Sequence, residues 1–137
     1  METKIYAVID TNVIVSALLA RNPEAATVKV FEAFFQGRVV PLVNDDIIKE
    51  YADVLHRPKF RFPKELVNSV IMSIERSAIR LGRTFCEEEF PDPKDAVFYE
   101  VALSKDDAYL ITGNTKHFPR TPIVVTPAEM LEILKRS

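Results

Sequence analysis

Apolar and polar positions along this chain fall into blocks whose period changes, from continuous apolar runs to helical stripes and back. Ile5-Tyr6-Ala7-Val8-Ile9 is an unbroken apolar run, as expected of a strand buried on both faces of a parallel sheet. Val13 to Ala20 reads as a short helix, ended by Arg21-Asn22-Pro23. Ala25 to Gln36 puts Val28, Phe31 and Phe35 on one helical stripe, with Gly37 as its stop. Val39 to Val43 is a second strand, and its Pro41 argues against a central place in the sheet. Asp45 to Leu55 repeats Ile47, Ile48, Tyr51, Val54 and Leu55 at the helical period. After Arg57-Pro58, a long stripe (Val67, Val70, Ile71, Ile74, Ala78, Leu81) predicts a helix over 64–81. Thr84 to Cys86 reads as a short edge strand, Ala96 to Lys105 as a helix, and Tyr109 to Thr112 and Ile123 to Val125 as further strands. Thr126-Pro127-Ala128-Glu129 is a capping box with proline at the first helical position, opening a last helix that reaches about Arg136.

Strands separated by helices imply right-handed βαβ units, hence an α/β protein of three α/β/α layers around a parallel sheet of four to five strands. The 137 residues fit one domain, 1–137, with a real core. A hydrophobic share of 47% and a charged share of 28% match ordinary soluble domains. No apolar run approaches the roughly 18 residues of a membrane span. Met1-Glu2-Thr3-Lys4 leads straight into strand-like sequence, without the parts of a secretion signal. The single Cys86 cannot form an internal disulfide, which fits a cytoplasmic setting, and reads as a small buried apolar residue. A net charge of −2 and a pI near 5.7 exclude a protein that coats nucleic acid through bulk charge, so any such contact needs a local basic patch and a cation.

The chemistry is carried by acids placed where strands hand over to helices. Asp10 follows the first apolar run and should emerge at the carboxyl edge of the sheet, where ligands of open α/β sheets gather. An N-cap for the next helix explains it equally well. Glu50 lies on the shoulder of its helix's apolar stripe, as a site residue or as a paired glutamate at the core rim, whereas Asp45 and Asp46 are explained by the helix dipole. In Asp92-Pro93-Lys94-Asp95, Asp92 is assigned to capping, and Asp95, in line with Phe98 and Ala102, to the site. Thr112-Gly113-Asn114 ends another strand. Gly113 would permit a sharp turn and close backbone approach, and Asn114 would cap the next segment or lend its amide oxygen to a metal-bound water. Carboxylates converging at one edge repel one another unless a cation joins them, and hard oxygen ligands suit Mg²⁺ or Mn²⁺. That points to metal-dependent phosphate chemistry.

Other constellations are weaker. His56 and His117 pair with nothing at zinc-ligand spacing, and for His117, in Lys116-His117-Phe118, a surface role is expected over a place near the cleft. Arg57, Lys59, Arg61 and Lys64, interleaved with Phe60 and Phe62, form either a patch for single-stranded RNA or a solvated connector anchored by its rings. A haloacid-dehalogenase phosphatase would need aspartate where Asn12 stands, and the acids near Asp45 and Pro93 do not suit a receiver domain.

These segments together resemble the PIN domain family of metal-dependent ribonucleases, and within it the toxins of toxin–antitoxin systems, over nearly the whole chain. Ile9-Asp10-Thr11-Asn12-Val13 resembles the opening Asp-x-Asn signature. Ile48-Lys49-Glu50-Tyr51 followed by Arg57-Pro58-Lys59-Phe60 is similar to the second acidic segment of one subfamily, and Asp92-Pro93-Lys94-Asp95 to the third. Tyr109 to Asn114 resembles the fourth, where many relatives carry aspartate in place of Asn114, a departure that removes one charge and weakens the hold on a second cation. The resemblance implies a Rossmann-like sheet and an RNA phosphodiester hydrolase. Asp10, Asp95 and Glu50 would hold Mg²⁺ or Mn²⁺, with Asn114 joining the catalytic set and Asn12 and Thr112 orienting it. It also implies an antitoxin partner and allows a homodimer. The rival reading, favoured by Asn114, is a PIN-like module that binds RNA or protein and cleaves poorly.

Overall fold

The computed structural model describes residues 4–137, so the residues on which the missing secretion signal was read, Met1 to Thr3, lie outside the described residues. Five strands form one parallel sheet: β1 (Ile5–Ile9), β2 (Val39–Val43), β3 (Ile79–Arg80), β4 (Tyr109–Ile111) and β5 (Val124–Val125). Their order is β3-β2-β1-β4-β5. Six helices connect and cover them: α1 (Thr11–Leu19), α2 (Ala26–Phe35), α3 (Asp45–Leu55), α4 (Lys64–Ser77), α5 (Ala96–Leu103) and α6 (Pro127–Lys135). Helices α2 and α4 pack on β2, α5 lies across β1, β2 and β4, and α3 meets both α4 and α5. The result is the expected three-layer α/β/α architecture. No helix among the described residues is long and apolar enough to cross a membrane.

The core explains why β1 is continuous in its apolarity. Ala7, Val8 and Ile9 are all but fully buried because helices cover both sides of the strand. Each aliphatic side chain so enclosed contributes about 1.5–3 kcal/mol. The local stop signals act as their chemistry requires. Gly37 takes a left-handed φ of 76°, its N–H donates to the Phe34 carbonyl, and the Arg38 N–H reaches back to Ala33, a Schellman ending of α2. At α6, Thr126 accepts from the Glu129 N–H while Glu129 accepts from the Thr126 N–H, the reciprocal capping box.

Four local expectations need correction. Pro41 sits in a strand flanked on both sides, yet β3 pairs only with Leu42 and Val43, so the proline lies beyond the end of that ladder, where a missing N–H matters least. The helix expected over 64–81 stops at Ser77, because Ala78 turns extended and Ile79 and Arg80 pair with β2 instead. Thr84 to Cys86 is no strand: the Thr84 and Cys86 amides are taken by the Glu100 carbonyl and carboxylate. Gly113 has neither a left-handed φ nor any atom near the position of an added Cβ, so neither a special turn nor a close approach requires it.

Glu100 merits a physical account, since it is a buried carboxylate at 5% exposure. It accepts from Arg83 Nε and Nη2 and from the Cys86 N–H, so the charge is both paired and hydrogen-bonded. Arg83 Nη1 also lies 3.8 Å from Asp46 on α3. The irregular stretch between β3 and Asp92 is thereby fastened to α5 and tied to α3. Further on, Phe90 packs against Tyr99 and Phe118.

Candidate active site

The chain leaves β1 toward β2 on one side and returns to β4 on the other, so the carboxyl ends of β1 and β4 form the switch point of the sheet, where such folds bind ligands. Ile9 is in register with Ile111, and the Asp10 N–H donates to the Ile111 carbonyl at 2.9 Å. That register places Asp10 beside Thr112. The Thr112 hydroxyl donates to Asp10 Oδ2 at 2.7 Å, and the Asn12 N–H lies 3.4 Å from Oδ1, so Asp10 both caps α1 and faces the switch point. From α3, Tyr51 is fully buried and its hydroxyl donates to the Ile9 carbonyl at 2.5 Å.

One cleft at this edge is lined by Asp10, Thr11, Asn12, Glu50, Arg57, Asp92, Lys94 and Asp95, with Val54 and Phe98 as its apolar walls. Asp10, Glu50 and Asp95, drawn from three distant segments, therefore share it. Asp92 caps a 3₁₀ turn, Pro93–Asp95, by accepting from the Lys94 N–H at 3.0 Å. The Asp95 side chain makes no capping bond, although a capping-box role was open to it.

Electrostatics mark the cleft as a place of crowded negative charge. Burial pushes Asp10 above the usual carboxylate range, against the bonds from Thr112 and Asn12 that favour its ionised form. Asp95 is raised to about 6, first by burial and then by the charges of Asp10 and Asp92, with Glu50 adding to them and His117 opposing. Tyr51 is held well above its ordinary value by burial and by Asp10.

The remaining candidates divide. Arg57 lines the cleft; Lys59, Arg61 and Lys64 do not. Phe60 and Phe62 stack on each other, 5.5 Å between centroids, and pack against the core, as the connector reading supposed. Asn12 is exposed and contributes its backbone N–H to Asp10. Asn114 is exposed too; its N–H donates to the Thr112 hydroxyl at 3.0 Å, and it is absent from the cleft lining.

Three residues escaped the sequence reading. His117 was placed at the surface, and it is half exposed, but a 3₁₀ turn (Thr115–His117) swings its Nδ1 to 3.6 Å from Asp95 Oδ2. Lys94 was passed over between two aspartates. Thr11 was hidden behind Asp10: its hydroxyl is buried with no hydrogen-bond partner, in a residue that lines the cleft. Only the Asp-Thr-Asn spacing could have drawn attention to it.

Would these residues suit a divalent cation? Among the described residues no three His, Cys, Asp or Glu side chains are already set around one point as a finished cage. The donor chemistry nevertheless fits: carboxylates crowded until their proton affinity rises, and an orphaned hydroxyl beside them. Asp10, Asp95 and Glu50 are the oxygens available to hold such an ion.

Two expectations follow for the hydroxyls. Thr112→Val strips Asp10 of its donor inside a buried pocket and should lower unfolding free energy by about 1–3 kcal/mol, read by urea denaturation. The loss should grow as pH rises, because the ionised carboxylate is the form left unserved. Thr11→Val removes a group that bonds to nothing in the protein, so metal-free stability should stay level or rise by up to about 1 kcal/mol. A clear drop in melting temperature would show that the hydroxyl has a protein partner after all.

A family profile described as PIN domain matches residues 6–116, a span that contains Asp10, Glu50, Asp95 and Asn114. No curated protein matches the chain.

Proposed function

The chain belongs to the PIN domain family, and from that premise we propose that it is a metal-dependent endoribonuclease hydrolysing RNA phosphodiester bonds, the toxin of a toxin–antitoxin pair. Membership carries the nuclease fold and the hydrolase class. The RNA substrate, the ion (Mg²⁺ or Mn²⁺), the antitoxin, a homodimer and a cytoplasmic setting are our reading, as is the extent of the domain, 1–137. The observation that supports it most is the sharing of one cleft by Asp10, Glu50 and Asp95, where burial and then the neighbouring charges raise the Asp95 pKa to about 6.

When bound there, a divalent ion would lower the pKa of water and polarise the phosphoryl group. The chain's own part is positioning and charge. Asp10 is clamped by Thr112 on one oxygen and approached by the Asn12 N–H on the other, so it offers ligand atoms of fixed direction. Asp95 and Glu50 approach from separate elements and would supply the remaining carboxylate oxygens. Asn114 acts through Thr112, whose hydroxyl its backbone N–H supports. Arg57 and Lys94, in the same lining, are suited to the strand's phosphates, with Lys59, Arg61 and Lys64 further out on the same connector.

A second reading keeps the fold and the RNA but drops the chemistry: a binding module that cleaves poorly. Asn114 in place of an acid and the lack of a ready-made cage among the described residues favour it. Titrating Mg²⁺ and Mn²⁺ into the protein with defined single-stranded RNAs, followed by mapping of the cut sites, separates the two. Cation-dependent cuts at fixed positions support the nuclease; tight binding without cuts supports the module.

A further inference from the structure

The residues that flank His117 in sequence, Lys116 and Phe118, line a separate cavity of about 260 Å³ whose charged lining is wholly cationic. Lys116 and Arg120 stand over it with Thr115 and Thr121, and no acid lines it, whereas the acidic cleft is lined by four. Among the described residues neither Lys116 nor Arg120 is in an ion pair. The floor is rigid: Phe118 is buried against Phe90, and the Thr121 and Tyr99 hydroxyls are 3.3 Å apart. His117 links the two places, since it follows Lys116 directly and reaches Asp95 in the cleft.

We infer that this cavity is an RNA phosphate subsite: it receives the phosphate next along the strand from the one held at the acids. The inference rests on the nuclease reading and extends it. A single-stranded substrate presents a regular row of phosphates, and a site of four acids repels every one of them not held by a cation. Binding energy must therefore come from flanking cations, which need not touch the reacting group. Lys116 and Arg120 have the charge, and the two threonine hydroxyls add donors that fit an oxygen-rich anion.

The test compares the full chain with Lys116→Ala/Arg120→Ala and with a charge-matched control, Lys29→Ala/Lys135→Ala, on one defined single-stranded RNA with Mn²⁺. The double variant should raise KM about tenfold or more and leave kcat within about twofold. The slope of log affinity against log salt should shrink by about 0.7, the change for one lost phosphate contact on a single strand. Binding of the same RNA with Ca²⁺ in place of Mn²⁺, followed by fluorescence anisotropy, keeps the subsite separate from cleavage. If the wild type binds but does not cut, and the double variant still loses affinity and slope, the nuclease reading fails and the subsite stands. If the double variant matches the control in KM, binding and slope, the subsite is overturned. A wild type that neither binds nor cuts RNA overturns both.

Discussion

Asp10→Asn should lower metal-dependent RNA cleavage at least about a thousandfold and leave the domain folded. An ion held between carboxylates is worth several kcal/mol of transition-state charge stabilisation, and each 1.4 kcal/mol is tenfold in rate. Asparagine removes the charge and keeps the shape. Its Oδ1 can still accept from either the Thr112 hydroxyl or the Asn12 N–H, so circular dichroism and melting temperature should change little. The same preparation protocol for both proteins makes the experiment decisive, since a contaminating nuclease survives the substitution. Cleavage at the wild-type rate in the variant would take Asp10 out of the proposed site.

Asp95→Asn should likewise lose cleavage by two orders of magnitude or more, but with the opposite effect on stability. The folded protein holds Asp95 at about 6, against an ordinary value of 3.8, so the folded state binds its proton more tightly than the unfolded one. Stability from this source is complete below about pH 3.8 and is lost as pH rises through about 6. At neutral pH without metal the ionised Asp95 is therefore a liability, and the amide relieves it. The side chain is partly open to solvent, which screens the effect to about 1 kcal/mol. Melting curves with EDTA from pH 4 to 8 should show the variant gaining on the wild type between about pH 4 and 6 and holding that lead above it, and added Mn²⁺ should reverse that order by stabilising the wild type alone. Equal curves at every pH would mean that neither burial nor neighbouring charge holds the Asp95 proton.

Long-period signals carried most of the architecture. The span Asp45–Leu55 was legible residue for residue, because its apolar stripe, the acids of its first turn and the following Arg57-Pro58 break agree with one another. The end of α4 was not, since Ala78 and Leu81 continue the helical stripe by coincidence. What stops the helix is a partner strand, β2, which no local pattern reveals. At the cleft, Asp10 and Asp95 were readable because each follows a break in period, and Glu50 because it stands on the shoulder of its helix's apolar stripe. His117 and Thr11 were not. The first is brought in by a 3₁₀ turn with no sequence signature, and the second is notable only for a hydroxyl left without a bond. Lys116 and Arg120 look like ordinary surface charge until the fold shows that no acid stands opposite them.

The Tyr51 hydroxyl has a mechanical corollary. Tyr51 is the neighbour of Glu50, and the carbonyl it grips belongs to the neighbour of Asp10. Those two carboxylates are thus mounted on one stiff frame, a helix pinned to the central strand at the point where both acids emerge. Asp95 is mounted on another, the lead-in to α5. Any displacement of α3 relative to β1 must therefore break the Tyr51 bond before it can part Glu50 from Asp10.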